Sequence, residues 1–265
     1  MSYAFDEDTV AHAAIATVSD RWDIAGTPNG GYLLALAVRA MRDCGTLPDP
    51  VTVSAHYLSR TVPGPADLDV VALGARRTTA TSTATLRQAG AVRFHAVCTF
   101  TDLTRSRGDD RHLTRRPPDL PPPDMCLALR GMPGAPPIFE QLDLRLAPET
   151  GWPTGERRGR AEVAGWIRFA DRRPLDTLSL VFFADGFPPA LFDLVPRAWV
   201  PTVELTVHVR HRPASGWLRG AFRTTALADG YLDEEGELWD DDGRLVAMSR
   251  QLARYRRPPE DQSMA

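Results

Sequence analysis

Lysine is missing from this 265-residue chain, and all 31 of its basic side chains are arginine. That bias suits bidentate contacts to phosphate and equally suits a GC-rich gene. With 34 acidic residues interspersed among them the net charge is −3, so there is no basic stripe of the kind a nucleic acid or an anionic membrane asks for. Any anionic ligand must be held locally. Cysteine is scarce too: Cys44, Cys98 and Cys126 are odd in number and form no CxxC pair, which points to neither a disulfide framework nor a zinc site. No apolar run reaches the ~18 residues of a membrane span, and "MSYAFDEDTV" has neither the basic start nor the apolar stretch of a secretory signal. The expectation is a cytoplasmic protein with no nucleic-acid or membrane partner and no metal. A hydrophobic content of 43% suffices for a buried core, and the length leaves room for two domains of ordinary size.

What the chain does have is a second half that repeats its first. "VSAHYLSRTVPG" (Val53 to Gly64) reads against "LTVHVRHRPASG" (Leu205 to Gly216), with His56 on His208, Arg60 on Arg212 and a turn glycine closing both. Before each lies an apolar helical segment, and after each lie strand-like runs. Two copies of one unit imply a pseudo-symmetric pair with a seam between unequal halves. The expected division is a domain over 1–104, a linker over 105–150 rich in proline ("RRPPDLPPPD", "GAPP"), and a domain over 151–265.

In the first unit, "GYLLALAVRAMRD" is apolar or alanine at nearly every position from Tyr32 to Met41, so that helix must be wrapped on all sides. The runs that follow it mix period-two alternation with β-branched residues and end at glycine or proline, as antiparallel strands do. In the second unit the helical segment "RPLDTLSLVFFADGFPPALFDL" is broken by Gly186 and Pro188-Pro189. The break predicts that Asp185 stands at or just before a helix start, where it caps free N–H groups or faces a cleft. The acidic run "DEEGELWDDDG" lacks the spacing of a calcium loop and reads as a solvated turn.

Side by side, the copies differ in their reactive groups. Asp185-Gly186 reads against Asn29-Gly30-Gly31, Thr202 against Pro50 by counting back from the matched histidines, and Gln251 against Cys98 or a close neighbour. The second copy therefore carries a carboxylate, a hydroxyl and an amide where the first is neutral or inert. On "FFADGFPPAL", "PTVELTVHVRHRP", "VAMSRQL" and "NGGYLLALAVRAM", the chain resembles the double-hotdog acyl-CoA thioesterases of the type II (TesB-like) group. The resemblance implies an α+β tandem (double) hotdog: two antiparallel sheets, each wrapped around a long helix, joined into one continuous sheet. It also implies an acyl-CoA substrate, no cofactor, and catalysis by Asp185, Thr202 and Gln251, which hold the attacking water. Where the family commonly has an Asp-His pair ahead of the strand core, Glu204-Leu205 stand here.

Thioester hydrolysis asks for these residue types. A carboxylate accepts a proton from water, a hydroxyl and an amide fix that water's direction, and N–H groups near a helix start favour the developing oxyanion. Asn29, Gly30 and Gly31 are the expected substrate-binding group for that oxyanion. The acyl chain is expected in an apolar channel beside the helices, with coenzyme A phosphates meeting surface arginines at its mouth. Free strand edges at the outer ends predict self-association into a homo-oligomer. His56 and His208 are repeated, so they read as structural partners near the pseudo-twofold axis. Two rival readings stay open: a hotdog hydratase or dehydratase, for which a histidine would have to face the cleft, and a non-catalytic acyl-CoA carrier.

Overall fold

The computed structural model describes residues 2–12, 14–105, 112–214 and 216–257, which leaves Ser215 of the second repeat and 106–111 of the linker outside the described residues. The first unit opens with α1 (Ala4–Asp8), β1 (Ala11–His12) and β2 (Ile15–Val18), then a small ladder of β3 (Asp23–Ile24) with β4 (Thr27–Pro28). Next come α2 (Gly30–Asp43) and the strands β5 (Asp49–Tyr57), β6 (Gly64–Ala75), β7 (Ala80–Gln88) and β8 (Ala91–Thr101). Between the repeats lie β9 (Leu127–Ala128), α3 (Ile138–Gln141) and β10 (Leu142–Leu146). The second unit holds β11 (Glu162–Phe169), α4 (Thr177–Phe183), β12 (Thr202–Val209), β13 (Leu218–Ala228), β14 (Tyr231–Trp239) and β15 (Leu245–Arg254).

As its all-apolar sequence requires, α2 is enclosed: Leu34, Ala35, Leu36, Ala37 and Val38 have no exposed surface. Each large side chain so buried contributes roughly 1.5–3 kcal/mol. Asn29 caps the helix by accepting from Tyr32 N–H at 2.9 Å. The helical segment of the second unit does break. After seven residues of α4 the chain turns through Gly186 and Pro188-Pro189 and forms only a 3-10 turn at Ala190–Asp193. The expectation of a long helix in each unit therefore holds only for the first, because the glycine and the paired prolines stop the second. The short helix is held by a capping box, in which Asp176 and Ser179 each accept from the other's backbone N–H. Packing completes it: the Phe182 ring stacks 5.2 Å from Phe5 of α1, a helix with no counterpart in the sequence reading.

Among the described residues thirteen strands form one sheet, in the order β1-β2-β6-β7-β8-β5-β12-β15-β14-β13-β11-β10-β9. The units join where β5 and β12, the strands that follow the two helical segments, pair antiparallel. Ser54 falls on Thr206 when His56 is set on His208, and in the ladder these two residues lie directly opposite each other, with their hydroxyl oxygens 2.9 Å apart. The pseudo-twofold axis passes between them. Both helices lie on the face where Val53, Ala55, Leu205 and Val207 are fully buried, and α2 also packs on α4.

The 105–150 segment does more than span. Its "LDLRL" alternates, burying Leu142, Leu144 and Leu146 while Asp143 bonds Arg145 and Arg168, and so adds β10 and β9 to the sheet edge. The proline-rich part is anchored alongside it, where Pro121 C=O accepts from Trp166 Nε1 at 2.9 Å. The acidic run read as a solvated turn is mostly strand: β14 extends to Trp239, and the turn is confined to the residues after it.

Candidate active site

The seam brings the start of α2 against the end of α4. Asp185 lies just beyond α4, whose last turn carries the negative end of the helix dipole, and not at the start of a new helix as its sequence context suggested. It caps a helix nonetheless, namely α2 of the other unit. Its Oδ2 accepts from Gly31 N–H at 2.9 Å and from Asn29 Nδ2 at 3.0 Å, while Asp185 C=O accepts from the same amide at 2.9 Å. The paired reading of Asp185-Gly186 with Asn29-Gly30-Gly31 thus matched residues that meet in space but are not equivalent. The N-cap that corresponds to Asn29 is Asp176.

This approach is close enough to require glycine. A Cβ on Gly30 would sit 2.9 Å from Asp185 Oδ2 and 3.1 Å from the Tyr57 ring, and one on Gly31 would overlap Phe182 C=O. Tyr57, on the inner face of β5, donates its hydroxyl to Gly30 C=O at 2.8 Å and closes one side of the site. Gly31 N–H is spent on the carboxylate. Of the group expected to meet a substrate oxyanion, Gly31 N–H and the Asn29 amide are thus directed to Asp185.

The second part of the site stands on β12 and β15. Leu205 is buried and pairs with Gln251, so Gln251 shares the inner face. Strict alternation from Leu205 would turn Thr202 outward, but a β-bulge between Thr202 and Glu204 resets the phase. Thr202 then lies opposite buried Ala253, and Gln251 Nε2 donates to Thr202 Oγ1 at 2.5 Å. The first unit repeats the bulge between Pro50 and Thr52, and Cys98 pairs with Val53 as Gln251 pairs with Leu205. Position for position, proline and a buried thiol stand where the second unit has the hydroxyl and the amide. Among the described residues that asymmetry leaves one such constellation.

Electrostatically, Asp185 and Thr202 are partly exposed while Gln251 is buried. Desolvation pushes the Asp185 carboxyl up to about 6, against the opposing pull of the Gly31, Asn29 and Gly30 donors. Burial likewise raises Glu234 to about 7, partly offset by a bond from Ala190 N–H and reinforced by the negative charge of Asp185. Tyr57 is held well above its ordinary range by burial and then by Asp185 and Glu204. Glu234 lies opposite Gln251 in the β14/β15 ladder and feels Asp185, so it connects the two parts of the site.

Sequence reasoning missed Tyr57 and Glu234. The signal for Tyr57 was its alternation with His56. Glu234 was hidden by reading its acidic neighbours as solvent-facing. His56 and His208 alternate with inward residues and are exposed on the opposite face, two places on either side of the Ser54–Thr206 axis. Clefts of about 190 Å³ around Thr206 and His208, and about 370 Å³ around Asp8 and Ile15, lie away from Asp185, Thr202 and Gln251. Among the described residues no cluster of histidine, cysteine, aspartate or glutamate could hold a metal ion, and no helix is long and apolar enough to cross a membrane.

Two units of helix and sheet sharing one carboxylate-centred site define a double hotdog. Residues 18–101 match the acyl-CoA thioesterase N-terminal domain, and residues 116–255 match the acyl-CoA thioesterase C-terminal domain. The chain belongs to the acyl-CoA thioesterase family, and it is a thioester hydrolase of acyl-CoA. It is 28% identical over 262 residues to an uncharacterized protein of Mycobacterium tuberculosis H37Rv, covering 89% of this chain and 88% of that protein. Among solved structures it resembles a conserved protein of unknown function with hot dog fold from Alicyclobacillus acidocaldarius, at 25% identity, TM-score 0.88, and coverage of 97% and 100% of the two chains. Its fold is also similar to that of acyl-CoA thioesterase II TesB2 from Mycobacterium marinum, at 18% identity, TM-score 0.74, and coverage of 97% and 99%.

Proposed function

We propose that the chain hydrolyses acyl-CoA through a water held among Asp185, Thr202 and Gln251. The bonds that fix Asp185 end on Oδ2, and Oδ1 accepts the proton of that water. The Thr202 hydroxyl and the Gln251 amide orient the oxygen, so that little entropy remains to be lost at the moment of attack. A new C–O bond forms at the thioester carbon as the carbonyl electron pair moves to oxygen. Collapse of the tetrahedral species breaks the C–S bond, and the proton taken by Asp185 passes to the departing sulfur. The products are the free acid and coenzyme A.

A base near 6 is well matched to this step, since at pH 7 it is ionised by roughly ten to one yet is about a hundredfold more basic than an ordinary aspartate. Asn29, Gly30 and Gly31 serve as the socket of that base. The observation that carries the reading is the shared inner face of Thr202 and Gln251, with Glu234 opposite Gln251 and within the electrostatic reach of a partly exposed, desolvated Asp185. The outward placement of His56 and His208 speaks against a histidine-based dehydratase.

The test is incubation of purified protein with acyl-CoAs of graded length and a thiol reagent. Thiol release by the native chain that is lost in Asp185→Asn, with acyl-CoA binding retained, supports hydrolysis at this site. Release that persists undiminished in Asp185→Asn would place the base of the reaction elsewhere.

A further inference from the structure

Four adjacent strands place a row of polar side chains on the inner face of the sheet. Thr202 of β12 bonds Gln251 of β15, Gln251 lies opposite Glu234 of β14, and Glu234 lies opposite Thr224 of β13. Glu234 has the same inward facing as its buried neighbour Leu232 two positions away. The hydroxyl of Thr224 is buried and has no hydrogen-bond partner among the described residues. A buried polar group on this face, such as the Thr224 hydroxyl or the Gln251 amide, is costly unless it serves a polar guest. Across from the row, Glu234 Oε2 accepts from Ala190 N–H at 2.8 Å, and Ala190 ends the segment that starts at Asp185 and runs through Gly186 and the two prolines.

We propose that Glu234 is a positioning residue of the hydrolytic site: through Ala190 it clamps the Asp185 segment onto the strand beside Gln251, and through its charge it sets the upper pH limit of the reaction. The inference rests on the hydrolytic reading given above. Asp185 is held at its near side by Asn29 and Gly31 and at the far end of its loop by Glu234, which fixes the carboxylate between two anchors on different units. The groups that face Glu234 are Asp185, the Ala190 N–H, Gln251 and Thr224, and none of them brings a positive charge. Two carboxylates so placed do not ionise together easily. The working form carries its charge on Asp185 and a proton on Glu234, because Asp185 Oδ2 accepts from two donors, Asn29 Nδ2 and Gly31 N–H, against the single Ala190 N–H on Glu234. Loss of the second proton adds negative charge beside a carbonyl oxygen that is itself becoming negative, and the rate falls.

The experiment is to measure kcat and KM for acyl-CoA hydrolysis against pH in the full chain and in Glu234→Gln, Glu234→Ala and Asp185→Asn. The native profile should fall on both sides, with the alkaline limb near 7. Glu234→Gln keeps an oxygen for Ala190 N–H but has no charge, so it should retain the acid limb, lose the alkaline limb, and exceed the native kcat above pH 8. Glu234→Ala should lower kcat by about tenfold or more with KM little changed. An alkaline limb that survives in Glu234→Gln overturns the proposal even if Glu234→Ala fails to fold, and so does a native kcat in Glu234→Ala. If Asp185→Asn remains active, the assignment of Asp185 as the base fails; if Asp185→Asn is inactive while both Glu234 variants behave as the native chain, only the role of Glu234 falls.

Discussion

Gln251 reaches Thr202 across the β12/β15 pair, Nε2 to Oγ1 at 2.5 Å, because the bulge before Glu204 turns Thr202 toward the interior. The two side chains act on one water in the proposed reaction. Thr202→Val and Gln251→Leu should each lower kcat by about 10–100-fold, and the double variant should lose less than the product of the two, since each single change already breaks the shared bond. Steady-state thiol release from the four proteins of the cycle checks this. Independent, multiplicative losses would mean that the pair does not work as a unit.

Asp185→Asn should lower kcat by about 10²–10⁴-fold, the range over which general bases contribute. The same change should not weaken the fold at neutral pH. Asp185 has a folded value raised from 3.8 to about 6, so the native state binds the proton more tightly than the unfolded chain does. Its ionisation therefore takes stability away as pH rises from about 4 through about 6. A neutral asparagine escapes that loss. Thermal unfolding of the variant at pH 7.5 should occur at or above the native temperature, and a clear drop would show that the ionised carboxylate stabilises the seam.

The acid limb of kcat/KM for the native chain should centre near 6, with activity lost below it as Asp185 takes up its proton. A limb near 4 would show that the base is a solvated carboxylate of ordinary strength.

Gly31→Ala places a methyl group against Phe182 C=O and 3.0 Å from Asp185 Cβ. With backbone on the facing side, relief requires α2 to move away from α4. The expected loss is about 1–3 kcal/mol of stability, together with a fall in kcat as Asp185 loses its N–H donor. Denaturant unfolding and thiol release measure the two effects. Gly134→Ala, where a Cβ would meet nothing within 4 Å but φ is +76, is the control for strain without a clash and should leave kcat unaltered.

Much of this was readable along the chain. The match of His56 to His208 located a pseudo-twofold relation that the ladder then centred on Ser54 and Thr206. The all-apolar run from Tyr32 gave an enclosed helix, and Gly186 with Pro188-Pro189 gave the break. What failed were inferences about facing and partnership. Its local sequence puts Asp185 at the start of its own next helix, whereas it caps another, and the residues around Glu234 read as solvent-facing because charge outweighs alternation in a short acidic run.

By itself, then, the sequence determined the repeat, the kinds of side chain kept in one copy and lost in the other, and the order of elements, because composition and periodicity act over neighbouring residues. Only the tertiary structure decided which of those side chains meet. Side-chain facing in a strand has a period of two, so one extra residue at a bulge reverses it, and the contact of Asp185 with Asn29 and Gly31 joins positions more than 150 residues apart.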